Sequence, residues 1–439
     1  MSAAAKRTAS GARRWLVGLV AVGAVAIMLA VGMAAWSWTT QPLLPSVDLT
    51  GADPAVVEAV GAASAGVRAA PRSDIAWAKL GVVLYAHYYH PEAAACFAQA
   101  AHLNPSQVRW PALQAAAIRV ADPERAIALY ERAVALSGGV SDELEPDLAE
   151  LYLQQGAFDG ARRRFELVLA RRPDDPRVHR GLARIAVAEN DLAAGLAHLT
   201  FALDDAHTKK GAYRLLAETQ ERAGDHAAAL QARARAEEAP DDLTWPTPLV
   251  DEEFLWPVGK QARLRRVKDL ERQGRQDAAR SLAANLEQQY PDVYWLVEGR
   301  VLAKQGQWEA ASSALKKAVG FNPDSIDARL ELGGALLKRK EYKEAAECFE
   351  QVIEREPTHG PAYKNLAWCK KMLADRTGAV DAYRQAVKYA PFIAETRRDL
   401  GELLLEDGRK QEALLELRQA LQLQPDDEKT TELLRKASQ

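Results

Sequence analysis

The sequence predicts an all-α solenoid of about ten helical hairpins, preceded by one transmembrane helix. Three observations carry this. Small and apolar residues return at the same places every 33–34 residues along most of the chain. Leu and Ala dominate, and no stretch alternates apolar and polar with period two. A run near the N-terminus is free of charge for long enough to cross a bilayer.

That run covers residues 15–35, 21 positions, and at ~1.5 Å per residue it spans the ~30 Å hydrocarbon layer. Lys6, Arg7, Arg13 and Arg14 precede it, and no basic residue follows until Arg68. The positive-inside rule therefore places 1–14 as a cytoplasmic tail, 15–36 as the span, and everything beyond on the extracytoplasmic (periplasmic) side of the inner membrane. Trp15, Trp36 and Trp38 bracket the span as interfacial anchors do. The alternative is a cleaved signal peptide, with the small residues at 32–35 as the cleavage site. A single pass without intramembrane charge is an anchor and does no transport. Residues 37–52, with Pro42, Pro45 and Gly51, read as a linker, and Asp53-Pro54 opens a capping helix within 53–73.

The clearest hairpin is 74–107. Trp77, Leu80, Gly81 and Leu84 share one helical face, a turn follows at 87–91, and Ala93, Phe97 and Ala100 mark a second face that ends at Asn104-Pro105. Gly81, Ala93 and Ala100 let the two helices approach, and Trp77, Leu80 and Phe97 fill the space between them. One such hairpin cannot bury its own apolar face, so it needs copies stacked on either side. The pattern Trp-x2-Leu-Gly-x2-Leu, Ala-x3-Phe, Pro resembles the tetratricopeptide repeat (TPR), and the resemblance implies a right-handed TPR-type α-solenoid.

The register gives repeats one to five over 74–240 and six to ten over 260–427, with a charged capping helix at 428–439. Leu148, Tyr152, Phe165 and Pro173 mark the third copy, Trp295, Gly299, Trp308 and Pro323 the seventh, and Leu332, Gly333, Phe349 and Pro357 the eighth. Copies four to six are weaker. Between the two sets, residues 241–259 break the period with Trp245, Pro246, Pro248, Trp256 and Pro257. This segment reads first as a connector packed on its neighbouring helices. The alternatives are a hinge, or a segment that lies in the groove and imitates a ligand.

With 57 Lys+Arg against 60 Asp+Glu, no bulk charge points to nucleic acid. No HExxH, GxSxG, GxxxxGK[ST] or dinucleotide fingerprint is present, so the sequence gives no enzyme, cofactor or small-molecule substrate. His87, His90 and Glu92 have ligand-like spacing but fall in a hairpin turn, where polar residues are ordinary, so no metal site is assigned. Asp174-Asp175, Asp204-Asp205 and Asp426-Asp427 recur at loops between repeats and suit helix capping better than catalysis. Cys96, Cys348 and Cys369 form no CxxC and read as small apolar fillers.

What remains is binding. The resemblance implies that the first helix of each repeat lines a concave groove, chiefly through its second, fifth, sixth, ninth and twelfth to thirteenth positions. Those positions carry Arg177, Arg180 and Arg184 in the fourth repeat, Arg214 and Arg222 in the fifth, and Arg265, Lys268 and Arg272 in the sixth. They carry Arg300 and Lys304 in the seventh, and Lys364, Asn365 and Lys371 in the ninth. Glu143, Asp147 and Glu150 make the third repeat acidic. Lys364-Asn365 resembles part of a carboxylate clamp, although Glu331 and Gly334 replace the rest of it. A basic stripe favours a protein partner offering an extended or acidic segment. The alternative for the stripe is solvated charge compensated by acids at i,i+4.

The resulting expectation is a membrane-anchored adaptor or scaffold that holds a protein partner on the extracytoplasmic side through a basic concave groove. A self-associating architectural envelope protein and a cytoplasmic-facing regulatory subunit of an enzyme complex are the alternatives.

Overall fold

The structure is a computed structural model, and it describes residues 43–243, 245 and 258–439. The expected span at 15–36 lies outside these residues. Among the described residues no helix is long and apolar enough to cross a membrane.

Twenty-two helices and no strands make up the described chain. The capping helix α1 (Pro54–Ala69) leads into five hairpins: α2 (Asp74–Ala86) with α3 (His90–Leu103), α4 (Arg109–Ile118) with α5 (Pro123–Leu136), α6 (Glu145–Gln154) with α7 (Phe158–Leu169), α8 (Pro176–Ala188) with α9 (Leu192–Leu199), and α10 (Lys209–Arg222) with α11 (His226–Glu238). Five more follow: α12 (Lys260–Arg272) with α13 (Gln276–Ala284), α14 (Pro291–Lys304) with α15 (Trp308–Phe321), α16 (Ile326–Lys338) with α17 (Tyr342–Arg355), α18 (Gly360–Met372) with α19 (Arg376–Tyr389), and α20 (Ala394–Glu406) with α21 (Lys410–Leu423). The last helix is α22 (Glu428–Ser438).

Several hairpins close where a small residue meets a large one. A Cβ on Gly81 would lie 2.7 Å from the Phe97 ring, one on Gly333 2.7 Å from Phe349, and one on Gly401 2.7 Å from Leu417. Trp77, Phe97, Phe165, Phe349 and Tyr383 are fully buried, each supplying roughly 1.5–3 kcal/mol or more of burial. The hairpin turns carry a second periodic mark. A left-handed residue recurs 34 positions apart at Gly156, Asn190 and Gly224, and again at Gly306, Lys340, Ala374 and Gly408. Of the paired aspartates, Asp175 accepts from the Arg177 and Val178 N–H groups and Asp427 from Lys429 and Thr430, so both cap the following helix, while Asp205 accepts from His207 inside a turn.

First helices of successive repeats touch one another, as α6 does α8 and α14 does α16, with no comparable contact between successive second helices. The stack therefore bends toward the first helices, and their free faces form its inner side. The described chain is not one uninterrupted stack, however. Instead of continuing onto α12, the end of α11 packs on α21, with Leu230 and Ala234 against Phe392, Ala394 and Leu423. At the other end, Asp53 accepts a 3.1 Å bond from the Lys260 N–H, and Tyr88 lies under the Arg265 guanidinium at 5.7 Å. The two five-repeat arrays thus lie start beside start and end beside end. The expected linker also differs, since Leu44, Val47 and Leu49 pack onto the core of the first repeats.

Candidate functional site

The inner face of the fourth and fifth repeats is not empty. The chain that leaves α11 turns back across it, and Asp242 reaches the first turn of α10. Its carboxylate accepts from the Lys210 N–H at 2.7 Å and the Gly211 N–H at 3.0 Å, and it lies 3.4 Å from Arg180. These amides are open to an outside carboxylate because Thr208, the residue before α10, makes no side-chain cap. Its hydroxyl donates instead to the Ala202 carbonyl at 2.7 Å. An acid at a helix start also meets the positive end of the helix dipole. Gly211 is what permits the approach, since a Cβ there would lie 2.9 Å from the Asp242 carboxylate.

Beyond Asp242 the segment stays in contact. The Leu243 N–H donates to Ala206 at 2.9 Å, and its carbonyl lies 3.2 Å from His207 Nδ1. Trp245 stacks on the His207 ring at 4.4 Å and receives the Arg177 guanidinium at 5.6 Å. Asp241 pairs with Lys210 at 2.8 Å and reaches Arg272 of the second array at 3.8 Å. Burial first, and then neighbouring Arg184 and Arg177, pull the Arg180 pKa down against Glu150 and Asp242. The start of the connector, at residues 241–243 and 245, therefore lies on the inner face and offers two carboxylates, an apolar residue and an aromatic ring.

The other cations expected along the stripe are largely engaged by acids one repeat away, or two in the case of Lys268. Arg177 pairs with Asp147 and Arg184 with Glu150. Lys268 meets Asp327 at 2.6 Å, Arg300 meets Glu331 at 2.9 Å and Glu271 at 3.5 Å, and Lys364 meets Glu395 at 2.8 Å. The compensation runs mostly between repeats; within a helix Arg222 meets Glu218 at i,i+4 (3.9 Å) and Arg272 meets Asp269 at i,i+3 (3.7 Å), and partly exposed pairs of this kind are worth about 0–1 kcal/mol each. Glu271 is the exception in burial: desolvation raises its pKa against the pull of Arg300 and Lys304. Arg265 is bonded to the Tyr88 hydroxyl. Arg214 is exposed and lines an open cavity of about 330 Å³ with Glu218, Glu221, Arg222 and Arg233, to which Phe392 of the second array contributes one wall. Lys304 is exposed, and Asn365 is half-buried beside Lys364.

The register that selects Lys364 and Asn365 also selects Trp368 and Met372, the ninth and thirteenth residues of α18. Both are exposed, at 40% and 38%, and attention to charge alone passed over them. Cys96 and Cys369 are fully buried and Cys348 partly so, and burial pushes the three thiols up to about 12, 12 and 11. Among the described residues no group of three or more His, Cys, Asp or Glu side chains has the geometry to hold a metal.

Comparison with known proteins fits this architecture. Residues 117–185 and 302–369 match one family model described as tetratricopeptide repeat, and residues 373–428 match a second with the same description. Tetratricopeptide repeats are present, and the described chain is an all-α solenoid of that type. A 141-residue stretch is 28% identical to the general transcriptional corepressor ssn6 of Schizosaccharomyces pombe, covering 32% of this chain and 13% of that protein. A 135-residue stretch is 24% identical to Hsp70-Hsp90 organizing protein 1 of Glycine max, covering 31% and 24%. DnaJ homolog subfamily C member 3 of Mus musculus is 28% identical over 154 residues, 31% of each chain. The chain spans less than a third of the length of these relatives. Similar solved structures include MamA 41-end from Desulfovibrio magneticus RS-1, 19% identical over 38% of this chain and 96% of that one, with a TM-score of 0.35. Another is YrrB, described as a TPR protein with an unusual peptide-binding site, 17% identical over 40% and 91%, with a TM-score of 0.36.

Proposed function

We propose that this protein is a membrane-tethered adaptor that holds other proteins on the inner face of its repeat arrays. The observation that most supports the reading is the seating of Asp242 and Trp245 on that face, where a helix start, an arginine and the His207 ring receive an acidic segment. Relatives named as a corepressor and as an organiser of two chaperones fit a protein that works by bringing others together. Such a protein needs no chemistry of its own, because tethering raises the local concentration of what it binds.

The membrane side of the proposal rests on sequence. The charge-free run at 15–35, the basic residues before it and the tryptophans around it support an anchor with the repeats on the extracytoplasmic side. Crosslinking in intact cells, followed by identification of what is captured by the chain and by an Arg180→Glu, Arg214→Glu variant, tests the binding half. Partner recovery should fall at least several-fold, and unaltered recovery would remove the inner face from the proposal. A reporter fused after Gln439 tests the topology, and activity confined to the cytoplasm would invert it.

A further inference from the structure

The connector treats the fourth and fifth repeats as a ligand would. Three features set this contact apart from simple packing. The α10 amides that Asp242 occupies have no local cap, and the hydroxyl nearest to them is directed away. Gly211 leaves room for the carboxylate where a Cβ would lie 2.9 Å from it. Trp245 is in contact with both His207 and Arg177, yet among the described residues its buried indole Nε1 has no hydrogen-bond partner. An orphaned buried donor penalises the bound state. The internal segment therefore fits the site imperfectly, and a segment with a phenyl ring in place of the indole would avoid the penalty.

We propose that the inner face of repeats four and five is a recognition site for an extended protein segment of the form Asp-apolar-x-aromatic, and that Asp242, Leu243 and Trp245 occupy it in cis until such a segment displaces them. This rests on the adaptor reading and adds to it the class of partner and a means of regulation. The carboxylate takes the α10 amides and Arg180, the apolar residue follows the backbone of the 206–207 loop, and the ring meets His207 and Arg177. Self-occupation makes the site selective, because a weak or partial match cannot compete with a segment held at high local concentration. Displacement also frees Asp241 from Arg272, which loosens one of the bridges between the arrays.

The test uses the full chain in detergent and two fluorescein-labelled peptides. One has the sequence of residues 239–246 with phenylalanine at the tryptophan position; the other also has asparagine for aspartate. Fluorescence anisotropy is read for the wild type, for Asp242→Ser/Trp245→Gly, and for the latter combined with Arg180→Glu. If the connector occupies the site 90–99% of the time, opening it should tighten binding of the first peptide by about 10- to 100-fold. Arg180→Glu or the asparagine peptide should abolish the gain. An opened variant with a native melting curve that fails to bind, or a wild type that binds equally well, would overturn the proposal. Trp245→Ala alone leaves the α10 cap in place and should give a smaller gain; if Asp242→Ser unfolds the chain, absence of that gain overturns the proposal in the same way. Failure here with partner recovery still dependent on Arg214 would remove the cis-ligand and leave the adaptor reading standing.

Discussion

The Tyr290 hydroxyl donates to both oxygens of the Asp53 carboxylate, at 2.7 and 2.8 Å, across 237 positions of sequence. The same carboxylate accepts from the Ala55 N–H at 2.9 Å and from the Lys260 N–H at 3.1 Å. One aspartate therefore caps α1 and the start of α12 together and fixes the start of one array to the start of the other. Gly259 allows it, with φ at +95° and Val56 and Asp53 pressing on the place of a Cβ.

Asp53→Ala removes both caps and is expected to cost roughly 1–3 kcal/mol, read as a lower melting temperature. The pair also sets a pH window. Burial, then the bond to Asp53, pushes the Tyr290 pKa up to about 12. A raised pKa means that the contribution is whole below the ordinary tyrosine range near ~10 and is lost as pH climbs through 12. Tyr290→Phe should flatten that alkaline decline in melting scans, while an unchanged decline would show the bond to be idle.

Arg300 sits among Glu271, Glu331 and Asp327 with 13% of its side chain exposed. Arg300→Glu would leave four carboxylates together, so a loss of about 3–5 kcal/mol is expected, seen in chemical denaturation. Lys304→Glu, on the exposed side of the same helix, should change stability by no more than about 0.5 kcal/mol. Equal effects would mean that the stripe has no structural share.

Ala374 holds a left-handed turn at φ +64°, where the hairpins 34 residues further on and 68 residues earlier place glycine, at Gly408 and Gly306. Ala374→Gly should relieve about 1–2 kcal/mol of strain against roughly 0.5–1 kcal/mol of added chain entropy, a net gain in melting temperature. Gly333→Ala should act oppositely, because its methyl would meet Phe349 at 2.7 Å, with a loss of about 1–3 kcal/mol.

The thiols of Cys96 and Cys369, with pKa values near 12 from burial, should not react with a disulfide reagent at neutral pH until the chain unfolds. A fast-reacting thiol at either position would contradict the packing of the third and eighteenth helices.

The hairpins, their small–large contacts and the caps at Asp175 and Asp427 were legible because each repeats with the period, so one reading is checked many times over. The pairing of the arrays was not. Asp53 with Tyr290, Phe392 with Leu230, and Asp242 with the start of α10 each occur once, between distant positions, and leave no periodic trace. The charge ladder lies between these cases. Arg184–Glu150 and Arg300–Glu331 are one repeat apart, and the register contained them, but i,i+4 spacing within a helix finds only pairs such as Arg222–Glu218. Trp368 stood at a groove position in plain view, hidden only by the preference for charge.

Photocrosslinking in intact cells addresses the inner face most directly. A photoreactive residue is placed at Arg214 or Trp368, exposed on first helices, and at Arg163 or Lys316, exposed on second helices. Adducts to other proteins should form from 214 and 368 and be scarce from 163 and 316. Adducts of equal yield from both faces, or from the second helices alone, would contradict an adaptor that works through its concave side.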